Sequence, residues 1–589
     1  RAADYRIGYF TDRVTELTSR DVAPYRDMIN RWHLVKKNPD AAISDPVEPI
    51  TWWIENTTPY EYRDMIEAAA LSWNVAFEAA GFSNALVVKQ QPDDADWDAG
   101  DIRYNVLRWT ASPNPPFGGY GPSFTNPRTG QIIGADIMLE FSFLTNRLRI
   151  KDVLQPSASQ PDGLGRLCDL GAHMQMDQMF AAQALAMNGV ADALRQQLIE
   201  DSMYMLILHE IGHTLGLTHN MRASQLQPDV FDEVAVAATG LSGSVMDYEA
   251  VNVAPPGQAQ TPFYQNRPGL YDHWAIEYGY APSLADTAAE QERLQTLLAR
   301  SKEPELAYGN DADDMRRPGR GIDPHINIYD HSGDAVGYAE QRLQLVRAMR
   351  ADLLKNYQGE TYQALYNSHV LLMNQLSRSG GVVSRYVGGV HINRTPPEAS
   401  DVPPYQPVNA RQQRRAMKVL ATYIFAPDAL GGSESVFQHL QRQRRGFDFY
   451  DEPEDPKLHA MMLSVQKRIL DHLLHPRTLQ RISDSQLYGN DYELTQMLDE
   501  LTGAIFDADM RGSVNSVRQN LQVEYVERLV SIWRGKKSKS VSHLARSAVF
   551  AQLEQLAKQM NTKRRSNAGT KAHRRHLQFI VERALSVNV

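Results

Sequence analysis

The chain has 589 residues, 42% of them hydrophobic and 22% charged, with a net charge of −9, which is the composition of a globular protein and excludes a disordered or fibrous one. Its one cysteine, Cys168, excludes an intrachain disulfide and a cysteine-rich zinc module, and reads as a buried thiol. The longest apolar run near the middle, Met203 to Leu208, falls far short of the ~20 residues of a membrane span, so no transmembrane segment is expected.

The chain begins at Arg1 with neither an initiator Met nor an apolar signal region, so a removed leader or a piece of a longer protein is expected. Residues 1–47 are a charged lead-in, compatible with the end of a preceding domain. Ile50 to Ile54, rich in β-branched and aromatic residues, predicts a strand. Thr57-Thr58-Pro59 then starts a helix expected to run to about Ala80 and to end at Gly81. Further strands are predicted at Ala85–Lys89 and Ile102–Trp109, and, after a Pro/Gly-rich loop and an Asn126–Gly130 turn, at Ile132–Phe141. Strand, helix and strands in this order make an α/β or α+β layer. Between the second and third strands, Asp94 to Asp101 resembles a calcium loop in composition. Its glycine is misplaced for an EF-hand and its twelfth position is Asn105, so it reads as an acidic surface loop, with Ca2+ kept as the alternative. Asn310 to Asp314 is read in the same way.

Two helices follow, at about 166–187 and 191–216, separated at Asn188-Gly189. The first carries His173, Met174, Met176, Met179 and Met187, which read as core packing rather than as soft copper ligands. The second ends in His209-Glu210-Ile211-Gly212-His213-Thr214-Leu215-Gly216-Leu217-Thr218-His219. Four residues apart on a helix, His209 and His213 share one face and can reach one zinc ion. Glu210 then points to the side where a water sits, placed to take its proton. A continuing helix would carry His219 away. Gly216 lets the chain end the helix and bend, so that His219 can return to the same ion. Three protein nitrogens leave a fourth position open, the arrangement of a catalytic Zn2+ site with one ion.

Downstream stands Ser244-Val245-Met246-Asp247-Tyr248. With this element the sequence resembles a metzincin, the zinc peptidase clan defined by the extended histidine motif and a later turn containing Met. The resemblance spans about residues 48–285 and includes Gly269 to Tyr280, similar to the helix that closes metzincin domains. Within the clan, Gly121-Pro122-Ser123, the Asn126–Gly130 turn and Arg385-Tyr386-Val387-Gly388-Gly389-Val390 look like those of large bacterial metalloproteases of the Met-zincin type. The resemblance implies an α+β zincin-type catalytic domain, a mixed twisted sheet with an edge strand plus an active-site helix, over 48–285. A mainly α-helical C-terminal region follows, as an extension at 286–400 and a domain at 401–589. It also implies that Met246 is an apolar floor beneath the metal and that Tyr248 steadies the oxyanion. Residues 119–125 resemble the edge strand that pairs with an extended substrate, giving Gly121, Ser123 and Phe124 as backbone contacts. Glu249 to Phe263 would line the pocket beside the zinc. Asn220 stands after the third histidine, where astacins have Glu and many serralysins Pro.

Beyond about 285 the apolar spacing predicts helices at 335–356, 359–378, 409–425, 455–475, 512–534 and 541–560. His325, His331 and His391 have no ligand-like spacing and read as ordinary histidines. Residues 501–589 hold 16 Lys+Arg against 6 Asp+Glu, clustered at Arg534–Lys539, Lys563–Arg565 and Lys571–Arg575. Only Trp533 accompanies them as a stacking platform, so they read as a solvated helical face and no nucleic acid partner is expected. The expected protein is an exported bacterial zinc endopeptidase, periplasmic or extracellular by the resemblance, acting on a peptide or protein. The alternatives are a proteolytically silent, zinc-containing helical adaptor and a zinc amidase acting on cell-wall peptides. Oligomeric state is not readable from the sequence.

Overall fold

The computed structural model describes residues 1–112, 119–145, 170–187, 192–313, 317–355, 357, 361–397, 401–430, 434–444, 446, 455–535, 541–560 and 566–586. Cys168, Lys536, Lys537, Lys539 and Lys563 to Arg565 lie outside them.

The lead-in forms a short antiparallel pair, β1 (Thr11–Asp12) with β2 (Met28–Ile29). The strand expected at Ile50 is β3 (Ile50–Ile54), and its alternation decides which side faces inward. Ile50, Trp52 and Ile54 are buried, while Trp53 lies against an aromatic cluster of Trp97 and Tyr104. The rings of Trp97 and Tyr104 stack with centroids 3.8 Å apart, and Gln91 donates to the Trp97 carbonyl, so the acidic 94–101 loop is fastened by its tryptophan.

β4 (Leu86–Gln90) and β5 (Asn105–Thr110) flank β3, both parallel to it. β6 (Gly119–Tyr120) and β7 (Ser123–Thr125) follow, then β8 (Ile132–Ala135) and β9 (Ile137–Glu140). The main sheet has the order β4-β3-β5-β9-β6, with β9 parallel to β5 and β6 antiparallel on the edge. The single strand expected over 132–141 is therefore two. Asp136 divides them: its amide donates to Pro122 O and its carboxylate accepts from Val106 N. The chain is thereby handed from its pairing with β7 to its pairing with β5.

The helix expected over 57–80 is likewise two, Tyr60–Leu71 and Asn74–Ala79. At the break the Ser72 hydroxyl bonds back to Ala69 O, and the buried Trp73 indole reaches Leu208 O in the long helix that carries the histidines. Ile66, Ala69, Ala70 and Phe77 face the core, each large side chain contributing about 1.5–3 kcal/mol on burial. The two later helices are Leu170–Met187 and Asp192–Thr214. Met174 and Met176 of the first are buried in the core.

The C-terminal part is largely helical, with long helices at Ala335–Asp352, Tyr362–Arg385, Leu458–Leu473, Ser516–Arg534 and His543–Met560. The helix expected over 409–425 keeps α geometry only over Ala410–Leu420, then widens into a π turn at Ala421–Phe425. A small hairpin, β10 (Val390–Ile392) with β11 (Tyr405–Pro407), interrupts the helices. The architecture is thus a mixed sheet with helices followed by a mainly helical region, and one hydrophobic core runs from Ile7 to Val581. No helix among the described residues is long and apolar enough to cross a membrane.

Candidate metal centre

The helix Asp192–Thr214 is apolar from Met203 to Leu208 and buried there except at the half-buried Tyr204, which brings its last turn, with His209, Glu210 and His213, into the interior. It ends in a Schellman turn. Leu217 N donates to Gly212 O and Gly216 N to His213 O, and Gly216 has φ +93°. The emerging chain is caught by the lead-in: Phe10 N donates to Gly216 O at 2.8 Å, Thr218 N to Gly8 O, and Tyr9 bridges Leu217. A Cβ on Gly216 would stand 2.0 Å from Asn30 O, so this close approach admits only glycine.

The bend returns His219 to the two helical histidines. The ring centroids of His209, His213 and His219 lie 4.6, 4.7 and 5.3 Å apart, and their ligand-type atoms all fall within 4.8 Å of one another. Each Nδ1 is engaged, His209 with Val245 O at 2.8 Å, His213 with Leu217 O at 2.9 Å, and His219 with Asp311 Oδ2. Carbonyl oxygens only accept, so the first two Nδ1 atoms carry protons and Nε2 keeps the lone pair. Burial, then the neighbouring His219, pushes His213 down to about 3, so it stays neutral and competent to ligate. His213 Nε2 and His219 Nε2 are 3.1 Å apart. A zinc–nitrogen bond of ~2.0–2.1 Å at tetrahedral angles puts two ligating nitrogens roughly 3.3 Å apart, so this pair matches that ion and His209 lies within reach of the same point.

Glu210 is fully buried beside the edge of the sheet. A Cβ on Gly121 would lie 2.9 Å from Glu210 O and 3.2 Å from its Oε2, so the Gly121 backbone is in contact with the carboxylate. Ser123 and Phe124 continue from there in β7. Met246 is buried under the helix, its sulfur against Gly212 between the two helical histidines, while Val245 O holds His209. Tyr248 is 1% exposed and its ring lies 4.8 Å from that of His219 and 5.7 Å from that of His209. The turn bearing these residues is pinned by Asp272 of the helix Leu270–Tyr280, which accepts from Ser244 Oγ, Val245 N and Gly269 N. Of the Glu249–Phe263 segment, Glu249, Ala250, Val251, Asn252 and Val253 are buried at its start. Ala250 N donates to Asp330 O.

Several residues join the site that sequence spacing did not reveal. Phe10 of the lead-in packs against His213 with centroids 5.6 Å apart. His173, which reads as core packing by sequence, is half-buried. Its ring is 6.1 Å from that of Tyr248, and Tyr329 OH is within hydrogen-bond distance of it. Asp311 belongs to an acidic stretch that reads as a surface loop, yet it bonds His219.

A second group of ligand types, Asp323, His325 and His391, also comes within 4.8 Å, although the histidines read as ordinary by spacing. Its chemistry differs from that of the triad. Both oxygens of the buried Asp323 are occupied, one by His325 N and His391 Nδ1, the other by Ile392 N and the Arg222 guanidinium at 3.0 Å. Burial alone would raise Asp323, but His391 and Arg222 hold it well below the usual carboxylate range. Both groups hold atoms that could take an ion. The second already has a guanidinium as its cation. Neither group includes the 94–101 loop.

A family model described as Met-zincin matches residues 191–512. Searches of curated proteins and of solved structures each returned no match.

Proposed function

This chain belongs to the Met-zincin family, and from that premise we propose that it is a zinc-dependent endopeptidase. The observation that carries the reading is the set of three convergent imidazoles beside a buried glutamate, since a structural zinc site has no use for Glu210. His209, His213 and His219 would hold the ion. When bound, zinc supplies Lewis acidity to a carbonyl and to a water in its open position.

The rest of the chemistry falls to the side chains. The Gly121–Phe124 backbone, running from the edge strand β6 into β7, pairs with an extended peptide and lays its scissile bond along Glu210. Glu210 takes the proton of the attacking water and delivers it to the departing amine nitrogen. Tyr248 donates its hydroxyl to the oxygen on which negative charge develops. Met246 fills the space beneath the helix and keeps water from that side. Export to the periplasm or the medium belongs to the same proposal.

The test uses two conservative variants in a peptide-library digest. Glu210→Gln keeps the size and removes the base, so zinc is retained and hydrolysis falls by at least ~10²-fold. Tyr248→Phe lowers kcat by ~10²–10³-fold if its hydroxyl meets the oxyanion. An equally active Glu210→Gln variant refutes the mechanism. A wild type that binds zinc and peptides but cleaves none of them refutes the enzyme.

A further inference from the structure

The three histidines are not held alike. His209 and His213 give their Nδ1 protons to main-chain carbonyls, at Val245 and Leu217, close to the motif itself. His219 gives its Nδ1 to a carboxylate, that of Asp311, and that residue is 92 positions further along the chain. It is also the ligand that sits beyond the helix, on a bent segment with 13% of its side chain exposed, and so is the least constrained by its own backbone.

The segment bearing Asp311 is built onto the motif by several bonds. Asn220, fully buried directly after the third histidine, donates its amide to Ala307 O and accepts from Gly309 N, both at 3.1 Å. Met221 N donates to Gly309 O at 2.7 Å. Tyr308 shares a hydrogen bond with Thr218 and stacks on Tyr271 with planes 5° apart. On the far side, Arg394 pairs with Asp313 and so ties the same turn to the hairpin region. The turn Asp311–Asp313 is therefore a strap clamped at both ends, with Asp311 aimed at His219. An acid attached only by a chance surface ion pair would have no such clamp.

We infer that Asp311 is the positioning residue of the third metal ligand. It fixes the His219 tautomer with the proton on Nδ1, turns Nε2 toward its two partners, and makes the imidazole a stronger donor. The inference rests on the zinc reading above. It also makes a residue outside 48–285 part of the centre, and gives Asn220 a role that the glutamate of astacins at that position does not fill here, as the clamp of the strap.

The test compares the full chain with Asp311→Ala, Asp311→Asn and Asp311→Glu. Zinc affinity is read by chelator competition, ligand geometry by the visible spectrum of the Co2+-substituted protein, and folding by the melting temperature of the metal-free form. Loss of the carboxylate should weaken zinc ~10–100-fold in Asp311→Ala, the range for an outer-shell partner, with a shifted cobalt spectrum. Asp311→Asn should lose less, because its amide oxygen still accepts, and Asp311→Glu should recover part of the affinity. The metal-free melting temperature should stay near that of wild type. A wild type that binds zinc while Asp311→Ala binds it within twofold, with the same cobalt spectrum, overturns the inference and leaves the zinc reading standing. So does a variant that loses metal-free stability without losing zinc affinity. A wild type that takes up no zinc overturns the reading itself, and the inference with it.

Discussion

Gly216→Ala tests whether the bend after the metal helix is what returns the third histidine. At φ +93° an alanine sits in the left-handed region, which costs it about 1–2 kcal/mol. Its Cβ would lie 2.0 Å from Asn30 O, where real contacts are essentially never under 3.0 Å, so one of the two segments must retreat by about 1 Å. Either movement pulls on the bonds Phe10 N to Gly216 O and Asn30 N to Phe10 O, both 2.8 Å long, at about 1 kcal/mol each. Alanine recovers ~0.4–1 kcal/mol by stiffening the unfolded chain. The net expectation is a loss of roughly 2–4 kcal/mol, read by urea unfolding of the metal-free protein. Because the strained residue stands between His213 and His219, part of the same cost should appear in zinc affinity, at about tenfold per 1.4 kcal/mol, read by chelator competition. A variant that unfolds within ~0.5 kcal/mol of wild type and binds zinc as tightly refutes the role given to the bend.

His391→Ala removes one member of the second ligand group. Because Arg222 already serves Asp323, metal content measured by elemental analysis should stay at one ion per chain, with about 1 kcal/mol of stability lost with the hydrogen bond. Loss of a second ion in that variant would contradict the assignment. Glu249 gives a pH prediction. Burial pushes its carboxyl up to about 8, above its ordinary 4.5, and the imidazole of His331, 4.0 Å away, is itself pushed down to about 3 by burial, so the two are a neutral contact near pH 7. The folded state thus keeps a proton that the unfolded chain releases, and this contribution, complete below about 4.5, is lost as pH rises toward about 8. Glu249→Gln should match wild type in urea unfolding near pH 4 and exceed it by a few kcal/mol near pH 8. Parallel pH profiles would show that the buried carboxyl does not hold its proton.

The parts of this molecule that were legible in the sequence are those governed by local spacing. The i, i+4 histidines, Gly216 at the helix end and the alternation of Ile50, Trp52 and Ile54 each follow from the geometry of one element. Where two elements compete for a residue, the reading slipped. Trp73 breaks a helix to reach Leu208 O, and Asp136 breaks a strand to serve Val106 N, and neither partner is visible from the neighbouring residues. The same holds at the centre. Asp311 looks like any aspartate of an acidic turn until the fold sets it on His219, and Asp323, His325 and His391 meet only because the hairpin strand β10 lies beside the 321–328 segment. Asn220 was the one hint, an amide where astacins and many serralysins carry Glu or Pro, and its two bonds to 307–309 account for it.

The fastening of the 216–219 segment on two sides also has a consequence for the order of events as the chain assembles. One fastening reaches back to Tyr9 and Phe10, the other forward to Asp311. Contacts this distant in sequence form late, because the loops that they close cost entropy before any reward arrives. A chain emerging N-terminus first presents His209 and His213 on a helix well before Asp311 exists to orient the third ring. On the zinc reading, the third imidazole is oriented only when the strap has been made and has docked, so the full-affinity site would mature last. A chain that cut extended peptides, as proposed above, would thereby stay metal-poor for as long as it is itself extended.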